Sequence, residues 1–232
     1  MTEFRPTRFE ILPVIIKNLL IINGLVFLAQ ITIGKQINLE DTFALHTWQS
    51  QLFKPWQFFT HMFMHGNFYH ILGNMFALWM FGSILENVWG PQRFLIFYIV
   101  CGLGAALCHM GVLYYEMEQT IRLFNGLSFE QQQIYHDGLL NKVNEATLGA
   151  SGAVFGCLAA FGYLFPNTYI YVYYLIPLKA KWFVMIYAGI ELTQAIQNSA
   201  GDNVAHVAHL GGALVGIILV YFWNKSNKKT FY

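Results

Sequence analysis

Charge is what this chain has least of. Only 11% of its 232 residues are Asp, Glu, Lys or Arg, against roughly 25% in an ordinary soluble domain. That deficit excludes a water-soluble core wrapped in a charged surface and points to a membrane protein. The net charge is +1, with no basic footprint, which excludes a nucleic-acid partner. Cysteine is scarce as well. Cys101, Cys108 and Cys157 all fall in apolar stretches, which argues against a disulfide framework or a CxxC metal knuckle. Repeats, low-complexity tracts and composition shifts are missing, so the chain is predicted to be a single domain over 1–232, and no cofactor or resident metal is expected.

What the chain has in abundance is apolar residues: 56% hydrophobic at a mean hydropathy of +0.45. A helix needs about 20 mostly apolar residues to cross hydrocarbon. Six segments meet or approach that length, at about 11–33, 69–89, 92–115, 148–166, 180–197 and 204–223. The predicted fold is therefore all-α, a polytopic bundle of six membrane helices in contact with the lipid bilayer. The fourth segment is short and glycine-rich, and Glu191 and Gln194 interrupt the fifth. The apolar run Tyr169–Leu178, bracketed by Pro166 and Pro177, is taken as interfacial or as an extension of its neighbours. The first run, which follows Arg5 and Arg8, has no small-residue cleavage site after it and is taken as a retained span.

Lysine and arginine in the flanks set orientation. With both termini inside, the inner side collects Arg5, Arg8, Lys17, Arg93, Lys179, Lys181, Lys225, Lys228 and Lys229, and the outer side Lys35, Lys54, Arg122 and Lys142. Two long outer loops follow. The first, about 35–68, is aromatic. The second, about 116–147, contains Ser128-Phe129-Glu130-Gln131, a capping box able to start a short surface helix.

In this topology the second, fourth and sixth spans enter from the outer face and carry their polar residues in their first turns. His70 and Asn74 stand four apart, on one helix face, and both can donate hydrogen bonds. Ser151 follows Gly149-Ala150 at a helix start, where unpaired backbone N–H groups favour a developing oxyanion. His206 and His209 open the sixth span. Gly152, Gly156, Gly212 and Gly216 form small-residue faces that allow close helix packing, which would bring His209 to Ser151 as a general base. No Asp or Glu flanks either residue except Asp202 in a loop, so a Ser–His dyad without a carboxylate is expected.

Together these residues resemble the rhomboid family of intramembrane serine proteases. The likeness runs from about Trp56 to Trp223. It comprises His61-x3-His65-x4-His70-x3-Asn74, Glu86-x3-Gly90, Gly149-x-Ser151-Gly152 and His209-x2-Gly212-x3-Gly216. The resemblance implies Ser151 as nucleophile and His209 as base. It also implies an oxyanion hole of His70, Asn74 and the Ser151 N–H, and transmembrane protein substrates. Two residues depart from the family pattern. Gln57 follows Trp56 where an arginine is usual, and Phe155 stands where some members carry a tyrosine, able to stack but not to hydrogen-bond. The compact core suggests a bacterial cell membrane, with the site opening outward. Two other readings stand beside this one: an inactive rhomboid-like protein that holds membrane clients, and a metal hydrolase built on His61, His65 and His70. His206 is an alternative base, Glu86 is expected to pair with Arg93, and Glu191 has no assigned role.

Overall fold

The structure is a computed structural model and describes residues 9–172, 175–197 and 205–226. Arg5, Arg8, Asp202, Lys228 and Lys229 lie outside them. Within them the chain is a helical bundle. The main helices are α1 (Val14–Thr32), α2 (Phe68–Trp89), α3 (Pro91–Asn125), α4 (Phe129–Val143), α5 (Ser151–Leu164), α6 (Ala180–Gln197) and α7 (His206–Ser226). Four of these, α1, α2, α3 and α7, are long and apolar enough to cross a membrane. Each of the six expected segments holds a helix, which makes the fold an all-α polytopic bundle.

The ends of these helices follow local chemistry. Asn67 caps α2 by accepting the His70 N–H at 2.9 Å, which satisfies a first-turn donor. Gly90, at φ 79°, reverses the chain, and Pro91 opens α3 where no N–H is needed. The capping box at α4 forms as expected, Ser128 and Gln131 each receiving the other's N–H. The third expected span, 92–115, is longer in the structure. Helix α3 continues for 35 residues to Asn125, because nothing between Val112 and Asn125 breaks it. At 1.5 Å per residue it is about 52 Å long, so it overshoots a hydrocarbon layer of about 30 Å.

Helix α5 is the opposite case. Its 14 residues cover about 21 Å, yet ten of them are buried. It is the central post of the bundle, and the exposed apolar side chains lie on the helices around it, Leu25 and Leu28 on α1 and Ile217 and Ile218 on α7 among them. The main core surrounds it with Leu78, Leu85, Phe94, Phe97 and Tyr98. The run Tyr169–Leu178 is not a helical extension of its neighbours. It belongs to an antiparallel hairpin of β3 (Tyr169–Val172) and β4 (Ile176–Lys179), since Pro166 and Pro177 bar a helix and its β-branched and aromatic residues suit a strand.

The loop between α1 and α2 is tied to the turn before α5. Strand β1 (Leu45–His46) pairs with β2 (Ala146–Thr147), and the Gly149 N–H donates to the His61 carbonyl at 2.9 Å. Buried Gln57 holds that loop from within. Its amide donates to the carbonyls of Asp41 and Leu52, at 3.1 and 2.9 Å, and its oxygen accepts from the N–H groups of His46 and Lys54, at 3.2 and 3.1 Å. A neutral amide can do this and an arginine cannot, because a guanidinium has no acceptor.

Candidate active site

The α5–α7 seam is made of glycine. A β-carbon at Gly212 would overlap the Gly152 carbonyl, and one at Gly216 would lie 2.8 Å from the Gly156 carbonyl oxygen. The two backbones therefore touch with no side chain between them, as the small-residue spacing predicts. Helix α5 begins at Ser151 and α7 at His206, so this contact sets the first turns of both helices side by side.

At that end, Nε2 of His209 lies 2.9 Å from Oγ of Ser151. Phe155, one turn along α5, stacks on the His209 ring with centroids 4.2 Å apart and planes 5° off parallel. The ring is thus held by a face contact as well as by hydrogen bonds.

Glu191, without a role in the sequence, stands against both histidines. A single carboxylate oxygen, Oε2, accepts from Nδ1 of His206 at 2.7 Å and from Nδ1 of His209 at 2.8 Å. The expectation that no carboxylate accompanies Ser151 and His209 is therefore corrected. Helix α6 packs beside α7 and carries the carboxylate across from 18 residues upstream. An ionised carboxylate only accepts, so both imidazoles carry their proton on Nδ1. For His209 this leaves the Nε2 lone pair facing the serine hydroxyl. A lone acidic residue in a span is costly without a partner, and that cost was the signal in the sequence.

Among the described residues, Glu191, His206 and His209 also form the one group whose donor atoms converge closely enough to hold a metal. Two ligands of a tetrahedral zinc, each about 2.0–2.1 Å from it, stand roughly 3.3 Å apart. The contacts of 2.7 and 2.8 Å are shorter than that and are those of charge-assisted hydrogen bonds. His61, His65 and His70 do not form such a group. His61 donates through Nδ1 to the Gln57 carbonyl at 2.8 Å, and burial pushes His61 and His65 in the first loop down to about 4.

His70 and Asn74 face the same space. The Gly66 N–H points at Nδ1 of His70, 3.4 Å away, so the ring proton sits on Nε2. A β-carbon on Gly149, whose φ is 132°, would lie 2.9 Å from that Nε2 and 3.5 Å from Ser151 Oγ. Only glycine leaves room there and adopts that backbone. Asn74 is buried, and its Nδ2 has no hydrogen-bond partner among the described residues, an unspent donor. His70, Asn74, Ser151, Phe155, Tyr187 and His209 all line one cavity of about 1060 Å³. The arrangement offers a hydroxyl with a base beside it and N–H donors from a second helix.

At the far end of the bundle the expected Glu86–Arg93 pairing is replaced by two other contacts. Glu86 accepts the N–H groups of Ile15 and Ile16 through its two oxygens, each at 2.9 Å, and the Arg93 guanidinium lies 4.4 Å over the Trp223 ring.

Comparison with known proteins agrees with this architecture. The Rhomboid domain family model matches residues 52–226. The chain is 27% identical to Rhomboid protein 1, mitochondrial, of Saccharomyces cerevisiae over 72% of this chain and 41% of that protein. It is 31% identical to Rhomboid-like protein 11, chloroplastic, of Arabidopsis thaliana over 75% of this chain and 54% of that one. It is 25% identical to Rhomboid protease GlpG of Haemophilus influenzae, over 89% of this chain and 88% of that protein. The chain spans about half the length of the first two. These relatives come from mitochondria, chloroplasts and a bacterium alike, so the likeness does not choose a compartment. With the domain match covering most of its length and a bundle of apolar helices beneath it, the chain is a multi-pass membrane protein that belongs to the rhomboid family.

Proposed function

We propose that this chain is an intramembrane serine endopeptidase that cleaves membrane-anchored proteins in or near their transmembrane segments. The observation that carries this reading is the 2.9 Å contact between Ser151 Oγ and His209 Nε2, made inside a cavity that His70 and Asn74 also line. Ser151 Oγ attacks the scissile carbonyl carbon while its proton passes to His209 Nε2. The carbonyl oxygen becomes an oxyanion, received by His70 Nε2–H, Asn74 Nδ2–H and the N–H of Ser151, whose place at the start of α5 leaves it without a helical acceptor. Collapse of this adduct breaks the C–N bond, and the leaving amine takes the proton from His209. Water, deprotonated by the same nitrogen, then hydrolyses the acyl-serine, returning the proton to Oγ. No step calls for a cofactor. The presence of both Ser151 and His209 at bonding distance weighs against an inactive client-binding member. The dispersal of His61, His65 and His70 weighs against a metal hydrolase.

The cavity opens to the extracellular or periplasmic side of a membrane, with both termini cytoplasmic. The lysines and arginines flanking the helices support this orientation, and a bacterial cell membrane is the setting. Cleavage of a fluorescent single-span substrate in detergent tests the reaction. Ser151→Ala and His209→Ala should each lose several orders of magnitude in rate while still inserting and purifying. Near-wild-type turnover in either variant would overturn the dyad, and turnover surviving His209→Ala but lost in His206→Ala would move the base to His206.

A further inference from the structure

The reaction just described uses a serine and a histidine and leaves Glu191 idle. Yet Glu191 is 5% exposed, in an apolar helix, with one oxygen shared between two imidazole N–H groups. A buried carboxylate serves stability poorly, because desolvation offsets much of the attraction. Its partners matter more. Among the described residues both donors on this oxygen belong to groups that gain or lose a proton, and one of them is the ring that touches Ser151. We propose that Glu191 is the positioning carboxylate of the active site. It fixes the tautomer and tilt of His209 and balances the imidazolium formed when Nε2 takes the serine proton, with His206 as a second donor that anchors the carboxylate. The inference rests on the serine protease reading and adds a third member to its machinery.

The geometry separates the two tasks. Orientation comes from the 2.8 Å bond to Nδ1, which together with the Phe155 stack leaves the ring one useful direction. Charge balance comes from the ionised oxygen itself, in a setting where water screens little. Other titratable groups also face His209. His206 stands on its own helix, and His70 on α2, His109 and Glu116 on α3, and Lys142 and Glu145 line the same cavity as His209. Glu191 is the acid hydrogen-bonded to His209, which places it to balance a positive ring. Tyr187, one turn before it on α6, packs on Phe155 with ring centroids 5.4 Å apart.

The test compares Glu191→Gln, Glu191→Leu and Glu191→Asp with the unmodified protein, all full length in detergent, using a fluorescent single-span substrate across pH. The glutamine keeps the shape and can still accept both N–H bonds, but it has no charge. It should lower kcat at least about tenfold with KM little changed, and the acid limb of kcat/KM should move to lower pH, because the charge that favours a protonated base is gone. Leucine removes the acceptor too and should cost about 10²-fold or more in kcat. Aspartate should recover part of the rate and return the acid limb toward its original position. Thermal unfolding of each variant checks the fold. Wild-type kcat with an unmoved acid limb in folded Glu191→Gln and Glu191→Leu would overturn the proposal, and so would a lower Tm as the only change. Ser151→Ala assayed in parallel separates the two inferences. Activity there removes the serine chemistry itself, whereas a dead Ser151→Ala beside a normal Glu191→Gln removes only the carboxylate.

Discussion

Two glutamates lie buried in this apolar bundle, one near each end, and each accepts two hydrogen bonds. Glu86 takes its pair from the backbone of Ile15 and Ile16, at the start of α1, where the helix dipole and unpaired N–H groups welcome an anion. Glu191 takes its pair from His206 and His209. Backbone amides do not titrate, so Glu86 is a fixed clamp between α1 and α2. Imidazoles do titrate, so Glu191 is coupled to proton movement. The surroundings differ in the same sense. Around Glu86 the far end is closed by aromatic packing of Trp89, Phe97 and Trp223. Glu191's partner His209 lines a cavity that also holds Asn74 Nδ2, a donor without a hydrogen-bond partner among the described residues. Satisfied polar groups hold a fold together, whereas polar groups left with capacity await something else.

The change that should erase this contrast most completely is Gly212→Val. Its side chain has no room against the Gly152 carbonyl, so α7 must move off α5 and carry His209 away from Ser151. Cleavage should be lost altogether and the unfolding temperature should fall. Full cleavage would mean that the glycine seam does not position the pair. A smaller and cleaner effect is expected from Asn74→Ala. It removes a donor that acts on charge present only in the transition state, so kcat should fall by roughly 10²–10³, with KM and Tm near wild type. Unchanged turnover would take Asn74 out of the oxyanion site. The smallest catalytic effect belongs to Glu86→Gln. It should weaken two charge-assisted bonds and lower stability by about 1–3 kcal/mol, at about 2–4 °C of Tm per kcal/mol, while kcat stays put. A fall in kcat at unchanged Tm would make the two glutamates alike.

Much of this was legible in the sequence because it is local. The 20-residue apolar periods mark the spans, the spacing of His70 and Asn74 places them on one face, and the glycines at four-residue intervals foretell a tight seam. The capping box at Ser128 is a signal contained in four residues. What stayed hidden depends on partners far along the chain. Glu86 meets backbone groups 70 and 71 residues away, and no periodicity records a partner of that kind. Glu191 announces itself only as an expense, an acid in an apolar helix, and the two histidines it meets lie 15 and 18 residues on, on the next helix. The Tyr169–Leu178 run was ambiguous for a different reason. A short apolar stretch serves a strand or a helix equally well, and only the pairing of Tyr171 with Pro177 reveals the hairpin. Gln57 looked like a departure from a pattern, and its four bonds to a folded loop show a distinct way of holding it.

The central claim is that Ser151 is a nucleophile activated by its neighbours, and reaction with a fluorophosphonate probe followed by peptide mapping tests it most directly. Serine chemistry at this site predicts a single phosphonylated residue, Ser151, with labelling abolished in Ser151→Ala and strongly slowed in His209→Ala, where the hydroxyl loses its base. A protein that cleaves its substrate while Ser151 remains unlabelled, or that labels equally fast without His209, would contradict it.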